Sequence, residues 1–361
     1  MKHILIASDS FKGTASSQAV ATHLAQGWKQ IHPGDELSMI AMADGGEGTI
    51  DAFAFRHPGS RRMPVTVLGP DGRRISSEWL LLPDGDAVVE LANSSGITHL
   101  NELDVFGAHS YGFGEALAAA INHGAKKIYA AIGGSASTDG GAGMLMALGA
   151  ELLDESGKSI PFGNIGLAEL SRVELSGLME LPRGGIVVLS DVRNPLLGPE
   201  GAAQIFGEQK GAQAEDFAIL ESNLKHFASF FASDAATPGS GAAGGCGYGL
   251  LSIGATLSGG SDAIADALGL AESISEVELV ITGEGRFDNQ SGYGKVADQV
   301  RNLATAAGVD CALVAGQITA ETDGFVQAVS LSDLAGSSEA AMTDTLHFLV
   351  QAGRALAQGS A

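Results

Sequence analysis

The chain has 361 residues, a formal net charge of −22 and 45% apolar residue types. At roughly 100–200 residues per domain, this length predicts two domains, and the apolar fraction excludes a disordered chain. No run of Lys or Arg exceeds two residues, which argues against nucleic acid and anionic membranes as partners.

The cysteines and the apolar runs indicate the cellular compartment of the protein. Cys246 and Cys311 form no CxxC pair, as is typical of proteins in the reducing cytoplasm. The apolar run at 4–7 is too short for a signal peptide, and no stretch approaches the 18 apolar residues of a membrane span. We therefore expect a cytoplasmic protein, and the sequence leaves its oligomeric state open, as monomer or homodimer.

The N-terminal part alternates strands and helices. The apolar run 3–8 predicts a buried strand, and the spacing of apolar residues over 16–30 predicts a helix. A second strand over 36–42 and a helix from about 46 to 55 complete a βαβα unit. This order predicts the start of a parallel sheet.

The middle of the chain has a different pattern of predicted secondary structure. Short β-type pieces separated by Pro-Asp-Gly turns over 60–92 predict antiparallel strands. The next predicted elements are helix 106–123, strand 127–133, helix 141–150, strand 186–190 and helix 213–232, followed by a glycine-rich stretch at 238–249.

The alternation of the N-terminal part returns near residue 277. The elements predicted there are strand 277–282, helix 295–307, strand 311–315, a strand near 325–330 and helix 338–353. Because the two ends of the chain share this alternation, we expect a discontinuous α/β domain formed by 1–58 and 276–361. A mixed α/β domain would be inserted at 59–275.

The segment 9–14 (DSFKGT) directly follows the first predicted strand. In an open α/β sheet, ligands bind outside the carboxyl ends of the strands. Lys12 precedes a helix that Ser16 or Ser17 would cap, so a cation and free backbone N–H groups could hold an anion there. The alternative is an ordinary turn with a surface lysine.

Two further segments offer similar chemistry. The segment 43–49 (ADGGEGT) places Asp44 at the end of the second strand, where it could also be only a helix cap. The segment 133–143 (GGSASTDGGAG) combines glycine and hydroxyl residues that suit the binding of phosphate by backbone N–H groups. The alternative for the second of these is a tight loop.

The segment 190–195 (SDVRNP) brings a carboxylate, a guanidinium and an amide to another strand end. Asp191 could be a general base or a Mg²⁺ ligand, and Arg193 could hold a carboxylate or phosphate through two hydrogen bonds. A structural Asp–Arg pair is the alternative.

Two segments match nucleotide-binding motifs only in part. Gly239, Gly241 and Gly244 have the GxGxxG spacing, but they follow a predicted helix, so a dinucleotide-binding fold is not predicted. The stretch 282–295 lacks the first glycine and the final Ser or Thr of a P-loop, which excludes a Walker NTPase. Lys295 at the start of a helix could still bind a phosphate.

Six segments together resemble the bacterial class I glycerate kinase family. They are, in family order, DSFKGTASS (9–17), MADGGEGT (42–49), GGSASTDGGAGML (133–145), DVRNPLLGPEGAA (191–203), PGSGAAGGCGYGL (238–250) and TGEGRFDNQSGYGK (282–295). The resemblance implies ATP-dependent phosphorylation of D-glycerate, usually to 2-phosphoglycerate with 3-phosphoglycerate as the other outcome, in glycerate catabolism. It also implies a flavodoxin-like domain interrupted by a restriction-endonuclease-like domain.

On this interpretation, the active site lies in the cleft between the two domains and uses ATP and Mg²⁺. The residues expected to act in catalysis are Asp191, Lys12 and Arg193. Those expected to hold glycerate are Asp9, Ser10, Lys12, Asp44 and Arg193. Those expected to receive the nucleotide are Gly133, Gly134, Ser135, Ser137, Thr138, Gly239, Gly241, Gly244, Gly283, Gly285 and Lys295. The metal candidates are Asp44, Asp191, Glu284 and Asp288.

Two other functions stay open at this point. One is a non-catalytic, two-lobed protein that binds small carboxylates or phosphates. The other is an NAD-dependent hydroxy-acid dehydrogenase, which would require a dinucleotide fingerprint after the first strand.

Overall fold

The computed structural model describes residues 1–11, 13–43, 45–288 and 296–359. The strands are β1 (His3–Ser8), β2 (Glu36–Ala41), β3 (Arg61–Leu68), β4 (Arg74–Leu81), β5 (Ala87–Glu90), β6 (Ile128–Ala131), β7 (Glu151–Leu153), β8 (Arg172–Glu174), β9 (Ile186–Ser190), β10 (Thr256–Gly259), β11 (Leu279–Phe287), β12 (Asp310–Ile318) and β13 (Gln327–Ser330). The helices are α1 (Ser17–Ile31), α2 (Thr49–Arg56), α3 (Ala92–Ser95), α4 (Tyr111–His123), α5 (Ala142–Ala147), α6 (Asn164–Leu167), α7 (Ala202–Phe206), α8 (Phe217–Ala228), α9 (Cys246–Ser252), α10 (Gly260–Ala267), α11 (Leu270–Ile274), α12 (Val296–Ala307), α13 (Leu331–Ala335), α14 (Ser338–Thr343) and α15 (Thr345–Gly359).

The chain divides into two compact units. The first consists of Met1–Asp44, Asp51–Pro58 and Ser261–Ala361, and the second of Gly45–Ile50 and Gly59–Gly260. Both ends of the chain therefore belong to the first unit. Relative to the expected boundaries, residues 261–275 fall in the first unit and 45–50 in the second.

The first unit is built on a five-stranded parallel sheet in the order β13-β12-β11-β1-β2. Numbered within the unit, this is the doubly wound order 2-1-3-4-5. The direction of the strand order reverses between β1 and β11, which is where an open α/β sheet forms its ligand crevice. The expected mixed α/β fold with a parallel sheet is confirmed.

Alternate residues of the central strands face two different helical layers. Ala312 and Val314 of β12 belong to the core formed with α1 and α15, whereas Leu313 and Ala315 pack with Ala297 of α12. The sheet is therefore covered on both faces, as the continuous apolar runs of its strands predict. Helix α1 starts as expected, because the Ser16 side chain accepts a hydrogen bond from the backbone N–H of Ala19.

The second unit contains a six-stranded mixed sheet in the order β10-β9-β6-β5-β4-β3. Its β3-β4 and β4-β5 pairs are antiparallel, as predicted for 60–92. The strands β5, β6, β9 and β10 pair in parallel. A separate two-stranded sheet joins β7 to β8. Helices α4, α5 and α9 contribute to one apolar core with this mixed sheet.

Two predicted elements, and one region without a predicted element, differ from the structure. The strand predicted at 277–282 continues to Phe287, because β12 pairs with it as far as Ile318. The helix predicted at 338–353 is two helices, since the backbone leaves helical geometry at Asp344 (φ −131°, ψ 49°). The region 256–274 forms β10, α10 and α11, none of which the sequence predicts. Within the described ranges, none of the helices combines the length and the hydropathy of a membrane span.

The first and last long helices of the first unit approach each other very closely. A Cβ added at Gly27 of α1 would lie 2.0 Å from the carbonyl oxygen of Val350, and one added at Gly353 of α15 would lie 2.2 Å from that of Leu24. Both distances are far below van der Waals contact, so the crossing requires glycine on each helix.

Gly353→Ala is expected to destabilise the protein by about 1–3 kcal/mol, because the new methyl group would overpack against a backbone carbonyl. Urea unfolding followed by circular dichroism measures the change. Gly34→Ala is the control, since nothing lies within 4 Å of a Cβ added there. Equal unfolding midpoints for the two variants would contradict the steric explanation.

Candidate active site

The first and sixth sequence segments lie side by side in the first unit. Ser8 at the end of β1 pairs with Gly283 of β11, and the backbone N–H of Asp9 donates to the Gly283 carbonyl at 2.9 Å. Both segments therefore lie where the strand order reverses. The hydroxyls of Ser8 and Thr282 are buried there, and neither has a hydrogen-bond partner within the described residues. Such groups are rare in folded proteins.

The described residues of the segment 9–14 form a turn anchored in the core. Phe11 is buried, and its carbonyl accepts hydrogen bonds from the backbone N–H and the hydroxyl of Thr14, each at 2.9 Å. Asp9 accepts a hydrogen bond from the backbone N–H of Ser10 at 2.6 Å, and both residues are half-buried. Lys12 lies outside the described residues.

Residues 282–287 belong to β11 rather than to the loop expected after a strand that ends at 282. A Cβ on Gly283 would lie 2.3 Å from the carbonyl oxygen of Val314 in the neighbouring strand, so packing within the sheet accounts for this glycine. Glu284 is buried, and Asp288 forms a 3.4 Å ion pair with Arg286. Gly285 is half-buried. Lys295 lies outside the described residues.

Three other segments meet at one edge of the second unit's sheet. Strands β5, β6 and β9 run parallel, so their carboxyl ends share that edge. The backbone N–H of Gly133, just after β6, donates to the carbonyl of Gly45 at 2.9 Å. A Cβ on Gly45 would lie 2.5 Å from the carbonyl of Leu189 in β9. Asp44 itself lies outside the described residues.

Glu90 is a buried carboxylate at this edge that the sequence analysis missed. It is the last residue of β5 and accepts hydrogen bonds from the backbone N–H groups of Gly48 (3.2 Å) and Ile50 (3.0 Å) at the start of α2. A carboxylate is favourable at a helix N-terminus, so these amides are already occupied. The position of Glu90 at the carboxyl end of an apolar strand was the available signal.

The segment 190–195 presents its charged groups to solvent. Asp191 and Arg193 are exposed directly after β9. The loop behind them is held in place, because the Asn194 carbonyl accepts from the backbone N–H of Gly241 at 2.9 Å. The Ser240 hydroxyl accepts from the backbone N–H of Leu196 at 2.9 Å.

The glycines of the fifth segment are buried. A Cβ on Gly241 would lie 2.1 Å from the carbonyl of Pro195, and one on Gly244 would lie 2.0 Å from that of Ser137. Gly239 is also buried, next to the Val192 carbonyl. Close packing of backbone on backbone therefore accounts for this GxGxxG spacing.

The segment 133–143 passes quickly from the surface to the interior. Gly134 is exposed and Gly133 is half-buried, whereas Ser135, Ser137 and Thr138 are buried. The hydroxyls of Ser137 and Thr138 have no hydrogen-bond partner among the described residues. Only the first two residues of this segment are therefore open to a nucleotide in the described structure.

Asp139 joins the N-termini of two helices inside the second unit. The residue is fully buried, and its carboxylate accepts from the backbone N–H (2.9 Å) and the hydroxyl (2.8 Å) of Ser110, just before α4. It also accepts from the backbone N–H groups of Gly141 and Gly143, each at 3.1 Å, at the start of α5. These amides have no partner within their own helices, so one carboxylate satisfies both ends.

Lys210 is a second buried charge that the sequence analysis missed. Its Nζ donates to the Ser135 hydroxyl at 2.8 Å and to the Ser137 carbonyl at 2.5 Å. Burial lowers the pKa of Lys210 to about 8, and the nearby Asp139 carboxylate opposes that shift. No local signal distinguishes this lysine, in the sequence GEQKGAQ, from a surface residue.

Asp139→Ala is expected to destabilise the protein by at least about 3 kcal/mol, because four buried donors lose their acceptor and Lys210 loses a neighbouring negative charge. Chemical unfolding of the full chain measures it. Asp154→Ala is the matched control: its carboxylate accepts from the backbone N–H groups of Ser156 and Lys158, but on a surface turn. If Asp139→Ala lowers the free energy of unfolding no more than the control does, Asp139 is not a structural anchor.

The metal candidates can be assessed only in part. Among the described residues, no group of three or more His, Cys, Asp or Glu side chains could hold a metal ion. Mg²⁺ is usually bound through one or two carboxylates together with substrate phosphates. An exposed carboxylate such as that of Asp191 fits this kind of binding. The metal set predicted from the sequence stays a prediction.

Comparison with known proteins identifies the class. The sequence profile of the glycerate kinase family matches residues 4–360. The glycerate 2-kinase of Escherichia coli is 39% identical over 326 residues, covering 88% of this chain and 85% of that protein. The glycerate kinase of Bacillus subtilis is 38% identical over 335 residues, covering 90% and 87%. A crystal structure from Salmonella typhimurium LT2, assigned as a glycerate kinase 2, has a TM-score of 0.88 at 36% identity and covers 99% of this chain and 98% of its own.

The fold and these matches define a phosphotransferase that acts on an alcohol group. The chain belongs to the glycerate kinase family. The family resemblance and the enzyme class predicted from the sequence are confirmed.

Proposed function

We propose that this chain transfers a phosphoryl group from ATP to D-glycerate and that the product is 2-phosphoglycerate. The observation that carries the proposal is the family match over nearly the whole chain, which includes a relative named glycerate 2-kinase. The alternative product is 3-phosphoglycerate. Either product would serve the breakdown of glycerate as a carbon source.

The net charge requires local cations at the site. With a formal charge of −22, the chain as a whole repels both glycerate and ATP. Arg193 is exposed at the carboxyl edge of the second unit's sheet. We assign Arg193, together with Lys12 and Ser10, to binding the carboxylate and hydroxyls of glycerate. Lys295 is assigned to the phosphates of ATP.

Phosphoryl transfer depends mainly on positioning and on stabilising charge, with a base for the attacking hydroxyl. Asp191 is exposed at a strand end and is assigned as this base, with metal binding as its other role. The exposed backbone of Gly134 is assigned to the nucleotide phosphates, since the Gly133 N–H already donates to the Gly45 carbonyl. Mg²⁺, when bound, would neutralise charge on the phosphate oxygens; Asp191, Glu284, Asp288 and Asp44 are its candidate ligands.

The domain description is also proposed. The strand order 2-1-3-4-5 supports a flavodoxin-like first domain formed from both ends of the chain. The mixed sheet of the second unit supports an inserted domain of the restriction-endonuclease-like class. A cytoplasmic location is supported by the proposed use of ATP and by two buried cysteines that form no disulfide.

Purified protein is expected to release ADP only when ATP, a divalent cation and glycerate are all present. Coupled ADP detection measures the activity, and ³¹P NMR of the product distinguishes phosphorylation at the 2- and 3-hydroxyls. Titration with ATP and glycerate serves as the control for folding. Protein that binds both ligands but releases no ADP would be a binding protein, and glycerate oxidation with NAD would indicate a dehydrogenase.

Asp191→Asn is expected to lower kcat by about 10²- to 10⁴-fold while leaving the KM for ATP nearly unchanged, because general-base assistance is worth that much. Steady-state kinetics with both substrates measures it. Glu200→Gln is the matched control, since it neutralises an exposed carboxylate in the same loop. If Asp191→Asn keeps more than about a third of the wild-type kcat, Asp191 is not the base.

A further inference from the structure

Lys210 is an unusual lysine for its degree of burial. Lysine is almost never fully buried unless it is paired, and Lys210 is 2% exposed. Removing an ammonium group from water costs free energy that only good hydrogen bonds offset. Both hydrogen bonds that its Nζ makes to described residues end on one short segment, at Ser135 and Ser137.

That segment leads directly to the accessible end of the loop after β6. Gly134 is exposed and immediately precedes Ser135. The Gly134 carbonyl accepts from the backbone N–H of Ile97 at 2.9 Å, and the Gly133 N–H is bonded to Gly45. Lys210 therefore holds the first buried residue of the loop, while other elements hold the two residues before it.

If Lys210 only linked two segments of the fold, its side chain would not need to be charged. Replacing a buried ion by an apolar side chain of similar volume is often neutral or stabilising. The space around Nζ is tight, because a Cβ on Gly244 would lie 2.9 Å from it. Charge-assisted hydrogen bonds are shorter and about twice as strong as neutral ones, so this cation holds the segment more firmly than a neutral donor would.

We propose that Lys210 is a positioning residue: by fixing Ser135 it holds Gly134, the exposed residue before it, in the conformation that receives the phosphates of ATP. This inference rests on the proposed function. It assigns Lys210 a role that is exerted through the loop, since the described contacts of its Nζ are with Ser135 and Ser137.

The electrostatic surroundings support a charged Lys210 near neutral pH. Burial lowers the pKa of Lys210 to about 8, so most of the population is protonated at pH 7. The groups that interact with it are the Asp139 carboxylate, which favours the cation, and the Cys246 thiol. Burial raises the pKa of Cys246, so this thiol stays neutral over the same range.

The test is direct titration of the full chain with Mg-ATP and, separately, with glycerate. Lys210→Met keeps the approximate volume and removes the charge, and Lys225→Met is the matched control on an exposed lysine. The Kd for ATP of Lys210→Met is expected to rise about 3- to 30-fold, with the Kd for glycerate unchanged within twofold. Ser135→Ala is expected to act in the same direction, and the double variant should be less than additive because both remove one interaction.

A pH series adds a measurement that a merely structural lysine would not change. Between pH 7 and 9.5 the wild type passes from charged to neutral Lys210, so its affinity for ATP should fall toward that of Lys210→Met. The Kd of Lys210→Met for ATP should not change over that pH range.

An ATP affinity of Lys210→Met within twofold of wild type overturns the inference, and so does a loss confined to glycerate. If Lys210→Met does not fold, Ser135→Ala and the wild-type pH series decide the question. Because titration needs no turnover, protein that binds ATP but releases no ADP would overturn the proposed function and leave the Lys210 result interpretable. Wild-type protein that binds no ATP would overturn both.

Discussion

The second unit depends on the buried carboxylate of Asp139. Parallel strands bring the N-termini of α4 and α5 together, and the amides there need acceptors where no water reaches. Asp139 supplies those acceptors for both helices. Its negative charge in turn makes a buried cation tolerable, and Lys210 occupies that position. The exposed Gly134 therefore adjoins a buried, hydrogen-bonded polar cluster, and a preorganised phosphate site requires support of this kind.

Short-range sequence signals determine much of the fold. The strands that were predicted wrongly depend on pairing with strands far away in the chain. The apolar run of β1 and the Ser16 cap of α1 are properties of a few neighbouring residues, and both elements appear close to where they were predicted. The extension of β11 to Phe287 exists because β12 lies beside it. The stretch that forms β10 has the composition of a loop, and it becomes a strand only by pairing with β9.

The same distinction applies to the site. Asp9, Asp191 and Arg193 follow strands that are evident from the sequence, so their placement at sheet edges could be predicted. Glu90 and Lys210 are both buried by elements far away in the chain. The end of an apolar strand marks the position of Glu90, whereas nothing in the neighbourhood of Lys210 indicates its burial. Gly241 and Gly244 are predicted from the sequence to bind phosphate, yet in the structure they allow another backbone segment to pack closely against them. A bound ligand and a crossing backbone segment each need a position that has no side chain, so glycine content alone cannot distinguish the two.

The strand order of the first unit has a consequence for biosynthesis. Ile4 of β1 pairs with Leu279 of β11, so the ribosome must make the whole second unit before β1 gains that neighbour. At about 5–20 residues per second, the delay is tens of seconds. During that time an apolar strand edge stays open to pairing with other chains, whereas the second unit can already fold. In a nascent chain, the edge of β1 that later pairs with β11 is therefore the one most exposed to wrong pairing.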